Sequence, residues 1–138
     1  MADKSKQSNI LVTAHAKSLR IAPRKMRLVT NLIKGLPVEQ ALVQLQFINK
    51  KAAPMLTKLI RSAVANAEHN FSLSPDTLYI KDLTCDMGKV MKRYFPRARG
   101  SAFVIRRKLA HVHVTLEART GKHKKSGTIV TEEKSEEV

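Results

Sequence analysis

The stretch from Lys89 to Lys108 reads KVMKRYFPRARGSAFVIRRK, and it limits what the chain can fold into more than any other segment. It carries eight cationic side chains and no acidic one, together with apolar residues such as Tyr94, Phe95 and Val104. A protein interior rejects unpaired charges, while water gains nothing from the apolar groups. We therefore expect this segment to lie outside the core, against a partner.

The sequences on both sides of this stretch have the residue types of β-strands. LYIKDLTCD precedes it and KLAHVHVTLE follows it, and the second alternates between apolar and polar residues. The simplest arrangement is a long β-hairpin from Leu78 to Glu117 whose tip lies in MKRYFPRARG, where Pro96 and Gly100 favour a turn. An arm of ~13 residues at ~3.3 Å each is ~40 Å long, whereas a body of this size has a radius of gyration of ~14 Å. The hairpin, at about residues 84–106, should therefore protrude.

The first half of the chain predicts one strand and three helices. Residues from Ile10 alternate as a strand with one apolar face. Pro23 and Gly35 are typical of the start and end of a first helix, and Pro37 of the start of a second. The longest helical pattern follows Asn49, which is a suitable N-cap. We expect a single domain over residues 9–117, a flexible segment at 1–8, and a disordered tail at 118–138 that is basic first and acidic at its end.

The charge of the chain indicates a polyanionic partner. Lys and Arg number 26 against 11 Asp and Glu, a net charge of +15. Such a chain repels itself and is stabilised beside negative charge. Nucleic acid is the leading candidate, and an anionic membrane surface comes second. The membrane ranks lower because the sequence shows no basic amphipathic helix with bulky aromatic residues. RNA fits the arm best, since its splayed bases offer stacking faces to Tyr94 and Phe95. A solvated basic loop is the alternative for the arm. Lys51, Lys58 and Arg61 share one stripe of the third helix, for which a solvated helix face is the alternative.

Catalytic and metal-binding patterns are weak. His111 and His113 share a strand face and make half a metal site at best. Cys85 is the only cysteine and is expected to be a packed small residue. Glu68 and His69 could mimic an acid–base pair, but neighbours in sequence point to different helix faces, so a role at the helix end is expected. We expect no enzyme activity, no metal site and no cofactor.

Several motifs resemble one family along most of the chain. SAVANAEHN, from Ser62 to Asn70, is similar to the signature of the large-subunit ribosomal protein family numbered twenty-two, in its compact bacterial form. The family's Arg-x-x-Pro-Arg-Lys motif before the first helix is matched from Arg20 to Lys25, and its Ile-Lys/Arg-Gly end of that helix from Ile33 to Gly35. Its hairpin elements are matched at Met91 to Arg93 and Pro96 to Gly100, and a family histidine at His111.

The resemblance implies an α+β fold in which three helices pack on a three-stranded antiparallel sheet, with the long protruding β-hairpin. It implies a structural constituent of the large ribosomal subunit that binds and organises large-subunit rRNA. The protein would be a monomer within the cytoplasmic ribosome, with neighbouring ribosomal proteins as partners and no membrane. The hairpin tip would line the polypeptide exit tunnel and meet the nascent polypeptide.

The residues and the resemblance together give two sets of expected site residues. The tip residues expected to line the tunnel are Met91, Lys92, Arg93, Tyr94, Phe95 and Pro96. The residues expected to contact rRNA are Lys17, Arg20, Arg24, Lys25, Arg27, Lys58, Arg61, Lys89, Lys92, Arg93, Arg97, Arg99, Arg106, Arg107, Lys108 and His111. Without the resemblance, the strongest alternative is an architectural DNA-binding protein whose Pro-tipped basic arm wedges into the minor groove. A transient RNA chaperone is a third interpretation.

Overall fold

The computed structural model of the protein describes residues 10–118. The expected flexible segment at 1–8 lies outside these residues. So does the expected tail at 118–138, apart from Ala118, which is the last residue of a strand.

The described residues form three helices and one three-stranded antiparallel sheet, which confirms the predicted α+β fold. The central strand of the sheet is the last one in the chain, and the other two flank it. Two short 3-10 turns interrupt the second half, at Pro75–Thr77 and Ala98–Gly100. The elements are β1 (Leu11–Leu19), α1 (Pro23–Ile33), α2 (Val38–Phe47), α3 (Ala52–Phe71), β2 (Leu78–Pro96) and β3 (Ala102–Ala118).

One face of the sheet carries the core. Successive side chains of a strand point to opposite faces, and in β1 this places Val12 and Ala14 in the interior while Leu11 and Thr13 stay exposed. On β3 the matching inward residues are Val112 and neighbours at every second position, all fully buried. The helices cover this face, and small buried residues of α3, including Ala63, let that helix approach β1 closely.

The first helix begins and ends where its sequence predicts. Pro23 occupies the first helical position, where its missing N–H costs nothing. Gly35 follows the last turn with φ of +82°, a left-handed conformation that favours glycine. Its N–H donates to the carbonyl of Ile80 at 3.0 Å, and the Ile80 N–H donates to the carbonyl of Leu36 at 3.0 Å. The loop after α1 thus pairs with part of the outer edge of β2, which would otherwise be an open edge.

The predicted start of the third helix was wrong by two residues. The N-cap position is Lys51 rather than Asn49, and no side chain caps the helix there. The chain turns tightly just before α3, with the Lys50 N–H donating to Ile48 and the Ala53 N–H to Lys50. At the other end, Ser72 takes a left-handed conformation with φ of 51° and its N–H bonds to the last turn of the helix. The backbone turn at Ile48 to Ala53, rather than a side-chain cap from Asn49, thus begins α3.

The outer part of the hairpin is a two-stranded arm. Pairing of β1 with β3 ends at Leu19 and Ala110, so beyond that point β2 and β3 pair only with each other. From Met87 to Pro96 the arm measures about 33 Å at ~3.3 Å per residue, and every side chain on this stretch is exposed or half-buried. The protruding hairpin was predicted to begin at about residue 84. Thr84 still pairs inside the three-stranded sheet, so the two-stranded arm begins further along β2, after Met87.

Candidate nucleic-acid interface

The arm leaves the body between two irregularities of the sheet. β1 shifts register between Ala16 and Leu19, where Ser18 has φ of 57°, and β2 shifts between Met87 and Val90. His111 lies between them. Its Nδ1 accepts a hydrogen bond from the Ser18 N–H at 2.9 Å.

The same histidine covers the bulge of the second strand. Its ring lies so close to Gly88 that a Cβ atom there would be 2.8 Å from its Nε2. Within the chain, His111 thus contacts both irregular strands where the three-stranded sheet becomes two-stranded. It is only half-buried, and its predicted contact with rRNA stays a prediction.

A groove of about 600 Å³ opens at this junction, between the base of the arm and the start of α1. None of the described residues that line it is acidic. Ile21 and Ala22 form part of its wall, so the first turn of α1 lies beside it. The cationic residues that line it are Arg20, Lys25, Lys51, Arg93, Arg106, Arg107 and Lys108.

The charge in this groove is not balanced from within the body. The sequence from Ile10 to Val38 contains no acidic residue, and neither does the sequence from Met87 to Leu116. These two segments supply all the cations of the groove except Lys51. Cations brought together without counter-charges repel one another and attract an anion. Its charge therefore favours a ligand that carries several negative charges, such as phosphates beside the start of a helix.

Six of the groove cations are among the predicted rRNA contacts, and Lys51 is not. Lys51 was assigned to the same helical stripe as Lys58 and Arg61, but it lies in the groove at the start of α3 while the other two line a second groove. Nothing near Lys51 in the sequence indicates this. Its position follows from the packing of the starts of α1 and α3 against the arm.

The end of the arm carries exposed aromatic rings. Phe95 and Phe103 are directly paired across the two strands, and the guanidinium of Arg97 lies 5.4 Å and 5.5 Å from their ring centres. Tyr94, on the neighbouring position, is 74% exposed. Aromatic and guanidinium groups in this arrangement can stack on bases or pack against a peptide.

The predicted tip residues lie on the side of the arm. Met91 to Pro96 all belong to β2, and the turn itself runs from Arg97 to Ser101. Gly100 in that turn has φ of +70°. Of the predicted set, only Phe95 and Pro96 lie next to the turn.

Arg27, another predicted rRNA contact, is exposed and also bonds within the fold. Its Nε and Nη2 donate to the carbonyl of Cys85 at 3.0 Å and 2.8 Å, which fastens α1 to the outer edge of β2. Lys34, which directly follows the last residue of α1, bridges to Asp82 of the same strand at 2.6 Å. The remaining predicted cations are exposed outside the first groove; they are Lys17, Arg24, Lys89, Lys92, Arg97 and Arg99.

The residues considered for chemistry have ordinary surroundings. Cys85 is buried, as predicted, and burial raises the pKa of its thiol. His113 contacts His15, with their Nδ1 atoms 2.6 Å apart. Within residues 10–118, no three His, Cys, Asp or Glu side chains are grouped so as to hold a metal ion. None of the described helices is long and apolar enough to cross a membrane.

Comparison with known proteins assigns the family. A family model described as Ribosomal protein L22p/L17e matches residues 14–117. The chain belongs to this family.

Its relatives are similar over most of their length. "Large ribosomal subunit protein uL22" of Bdellovibrio bacteriovorus is 47% identical over 106 residues, which is 77% of this chain and 96% of the relative. The protein of the same name from Chloroflexus aggregans is 46% identical over 98 residues, covering 71% of this chain and 87% of the relative. That of Lactobacillus delbrueckii subsp. bulgaricus is 48% identical over 103 residues, covering 75% and 88%. The family assignment confirms the resemblance that the motifs indicated.

Proposed function

We propose that the protein is a structural constituent of the large ribosomal subunit that binds and organises large-subunit rRNA through the groove at the base of its arm. The observation that carries this proposal is the grouping of seven cations, with no acidic residue, at the junction of arm and body. Family membership supports the ribosomal setting, since the relatives are named as large-subunit proteins. Large-subunit rRNA and neighbouring ribosomal proteins are the partners that this function implies.

The arm extends the same interface away from the body. Lys92, Arg97 and Arg99 add cations along it, while Tyr94 and the paired phenylalanines add stacking surfaces. A lone two-stranded ribbon is marginal in water, so the arm gains stability from whatever surrounds it. We propose that RNA encloses its length, that its end reaches the wall of the polypeptide exit tunnel, and that the nascent chain passes the aromatic residues there.

Binding of a folded large-subunit rRNA fragment by charge-matched variants tests the proposal. Lys25→Gln with Arg107→Gln removes two cations from the groove, and Lys58→Gln with Arg61→Gln removes two from the second groove. Counterion release gives ~0.7 to 0.9 in the salt slope per contact. At ~0.15 M salt the first pair should therefore weaken binding roughly 10- to 30-fold, and the second pair clearly less. Equal losses from both pairs would contradict the assignment of the groove.

Duplex DNA of equal length is the competitor that separates this function from the DNA-binding alternative. We expect tighter binding of the folded rRNA fragment at matched salt, by a monomer in sedimentation. Equal affinity for the two, or a stable dimer that pairs two arms, would favour an architectural DNA-binding protein.

A further inference from the structure

A second groove, of about 590 Å³, runs between α2 and the first half of α3 and differs in chemistry from the groove at the arm. Apolar groups form much of its lining, from Leu45 and Ile48 on one side and Ala53 and Pro54 on the other. Lys58 and Arg61 lie along the α3 side. Phe47, the last residue of α2, is 83% exposed and lies between Gln46 and Ile48, which both line the groove.

The side of this groove formed by α2 is unlike a nucleic-acid interface. The sequence from Gly35 to Asn49 contains no cation in a chain that has 26. Apolar groups with only two cations beside them fit apolar side chains that are followed by carboxylates. The occupant expected from this chemistry is a short peptide segment with that pattern.

The chain itself contains such a segment. Thr128 to Glu133 reads TIVTEE, in which two β-branched apolar residues precede two glutamates, and two more glutamates follow at 136 and 137. The family match ends at Glu117. The Bdellovibrio relative is 96% covered by a match that spans 77% of this chain, so most of what lies beyond the match has no counterpart there.

The position of the last described residue places the groove within reach. Ala118 pairs with Leu78, and the next residue of that strand, Tyr79, bridges to Pro37 just before α2. The groove lies at the other end of α2, where Leu45 and Ile48 line it. This ten-residue helix is about 15 Å long. The eleven residue-to-residue steps from Ala118 to Ile129 span up to about 36 Å at ~3.3 Å each. The body, with a radius of gyration of ~14 Å, has a diameter of similar size.

We propose that residues 128–138 bind the α2–α3 groove of their own chain, with Ile129 and Val130 against its apolar lining and the glutamates beside Lys58 and Arg61. In the free protein the segment would cover the apolar groups and neutralise these two cations. It would therefore occupy a surface that another protein or RNA must compete for during assembly. This proposal does not rest on rRNA binding by the groove at the arm, and it can fail or succeed independently.

A spin label in the segment provides the test. Cys85 is buried and its thiol pKa is raised, so a thiol-reactive label on the folded Thr131→Cys protein modifies the new cysteine. In two-dimensional amide spectra of the full chain, we expect signals of residues 45–48 and 53–61 to lose intensity. Signals of residues 97–101, at the far end of the arm, should keep theirs.

Matched variants and a mixing experiment show whether the loss of signal intensity comes from binding of the segment within one chain. Ile129→Ser with Val130→Ser in the labelled protein should restore the groove signals, while Thr128→Ser should leave the loss unchanged. A mixture of spin-labelled protein at natural isotope abundance with unlabelled ¹⁵N protein should show no loss, because the contact lies within one chain. The proposal is overturned if the groove signals are unaffected by the label, if the serine pair changes nothing, or if the loss depends on the second copy.

Discussion

Substitution of Gly88 by Ala tests how the arm is joined to the body. The added methyl group would lie 2.8 Å from Nε2 of His111, 3.0 Å from its Cε1 and 3.2 Å from its Cδ2. Contacts of this length are well inside the ~3.5 Å at which carbon atoms pack, so the ring must move. When it moves, it loses the hydrogen bond that Ser18 donates to Nδ1.

The magnitude follows from these two effects. A lost hydrogen bond costs about 1 kcal/mol net, and the displaced ring adds packing strain, so we expect Gly88→Ala to destabilise the protein by about 1–2 kcal/mol. Gly88 does not have the left-handed conformation that requires glycine. In a His111→Ala background the obstacle is gone, and the same substitution should be neutral or stabilising by about 0.4–1 kcal/mol, through the lower entropy of the unfolded chain. The sign of the effect should therefore reverse.

Urea unfolding of the four proteins in this cycle, followed by circular dichroism because the chain has no Trp, measures the coupling. We expect a coupling energy of about 1.5–3 kcal/mol between the two sites, which lies at the upper end of what residues in contact show. Equal destabilisation by Gly88→Ala in both backgrounds would refute the described contact between His111 and the bulge.

Three further predictions concern the edge of β2 and the arm. Arg27→Ala should lower the free energy of unfolding by about 1–2 kcal/mol through loss of its two hydrogen bonds to the Cys85 carbonyl, whereas the exposed Arg24→Ala should change it by less than ~0.5 kcal/mol; similar effects in urea unfolding would disprove the clamp. The hydrogen bond from Lys34 lowers the pKa of Asp82, so this carboxylate stabilises the fold above its unfolded pKa and the contribution is lost as the pH falls through the lower folded pKa; Asp82→Asn should flatten stability against pH in that acid range and nowhere else. Replacing residues 91–107 by a two-residue turn, so that the Val90–Lys108 pair is kept, should leave a cooperative thermal transition, because none of the buried core residues lies there; a melt without cooperativity would show that the arm is part of the core.

Much of the fold could be read from the sequence because it rests on local signals. Pro23 and Gly35 bound α1, and alternation in β1 and β3 separates the core face from the outer face. The start of α3 was missed because a backbone turn at Lys50, rather than a side-chain cap at Asn49, begins the helix.

The candidate site was predicted only in part, since its geometry depends on contacts between distant segments. The sequence gives the cations of the arm but not which of them meet the start of α1. Arg27 has the charge of an RNA contact, and no local pattern indicates its hydrogen bonds to the Cys85 carbonyl, 58 residues away in the sequence. His111 is similar: its bond to Ser18 joins residues 93 apart, and no local pattern indicates it.

The salt dependence of rRNA binding tests the central claim, that the cations of the groove and arm contact RNA phosphates. If six of them neutralise phosphates, the logarithm of the association constant should fall against the logarithm of the salt concentration with a slope of roughly −4 to −5. Lys25→Gln with Arg107→Gln should reduce the steepness by about 1.4 to 1.8. A slope near −1 for the unaltered protein, or no change in slope for this pair, would contradict the claim.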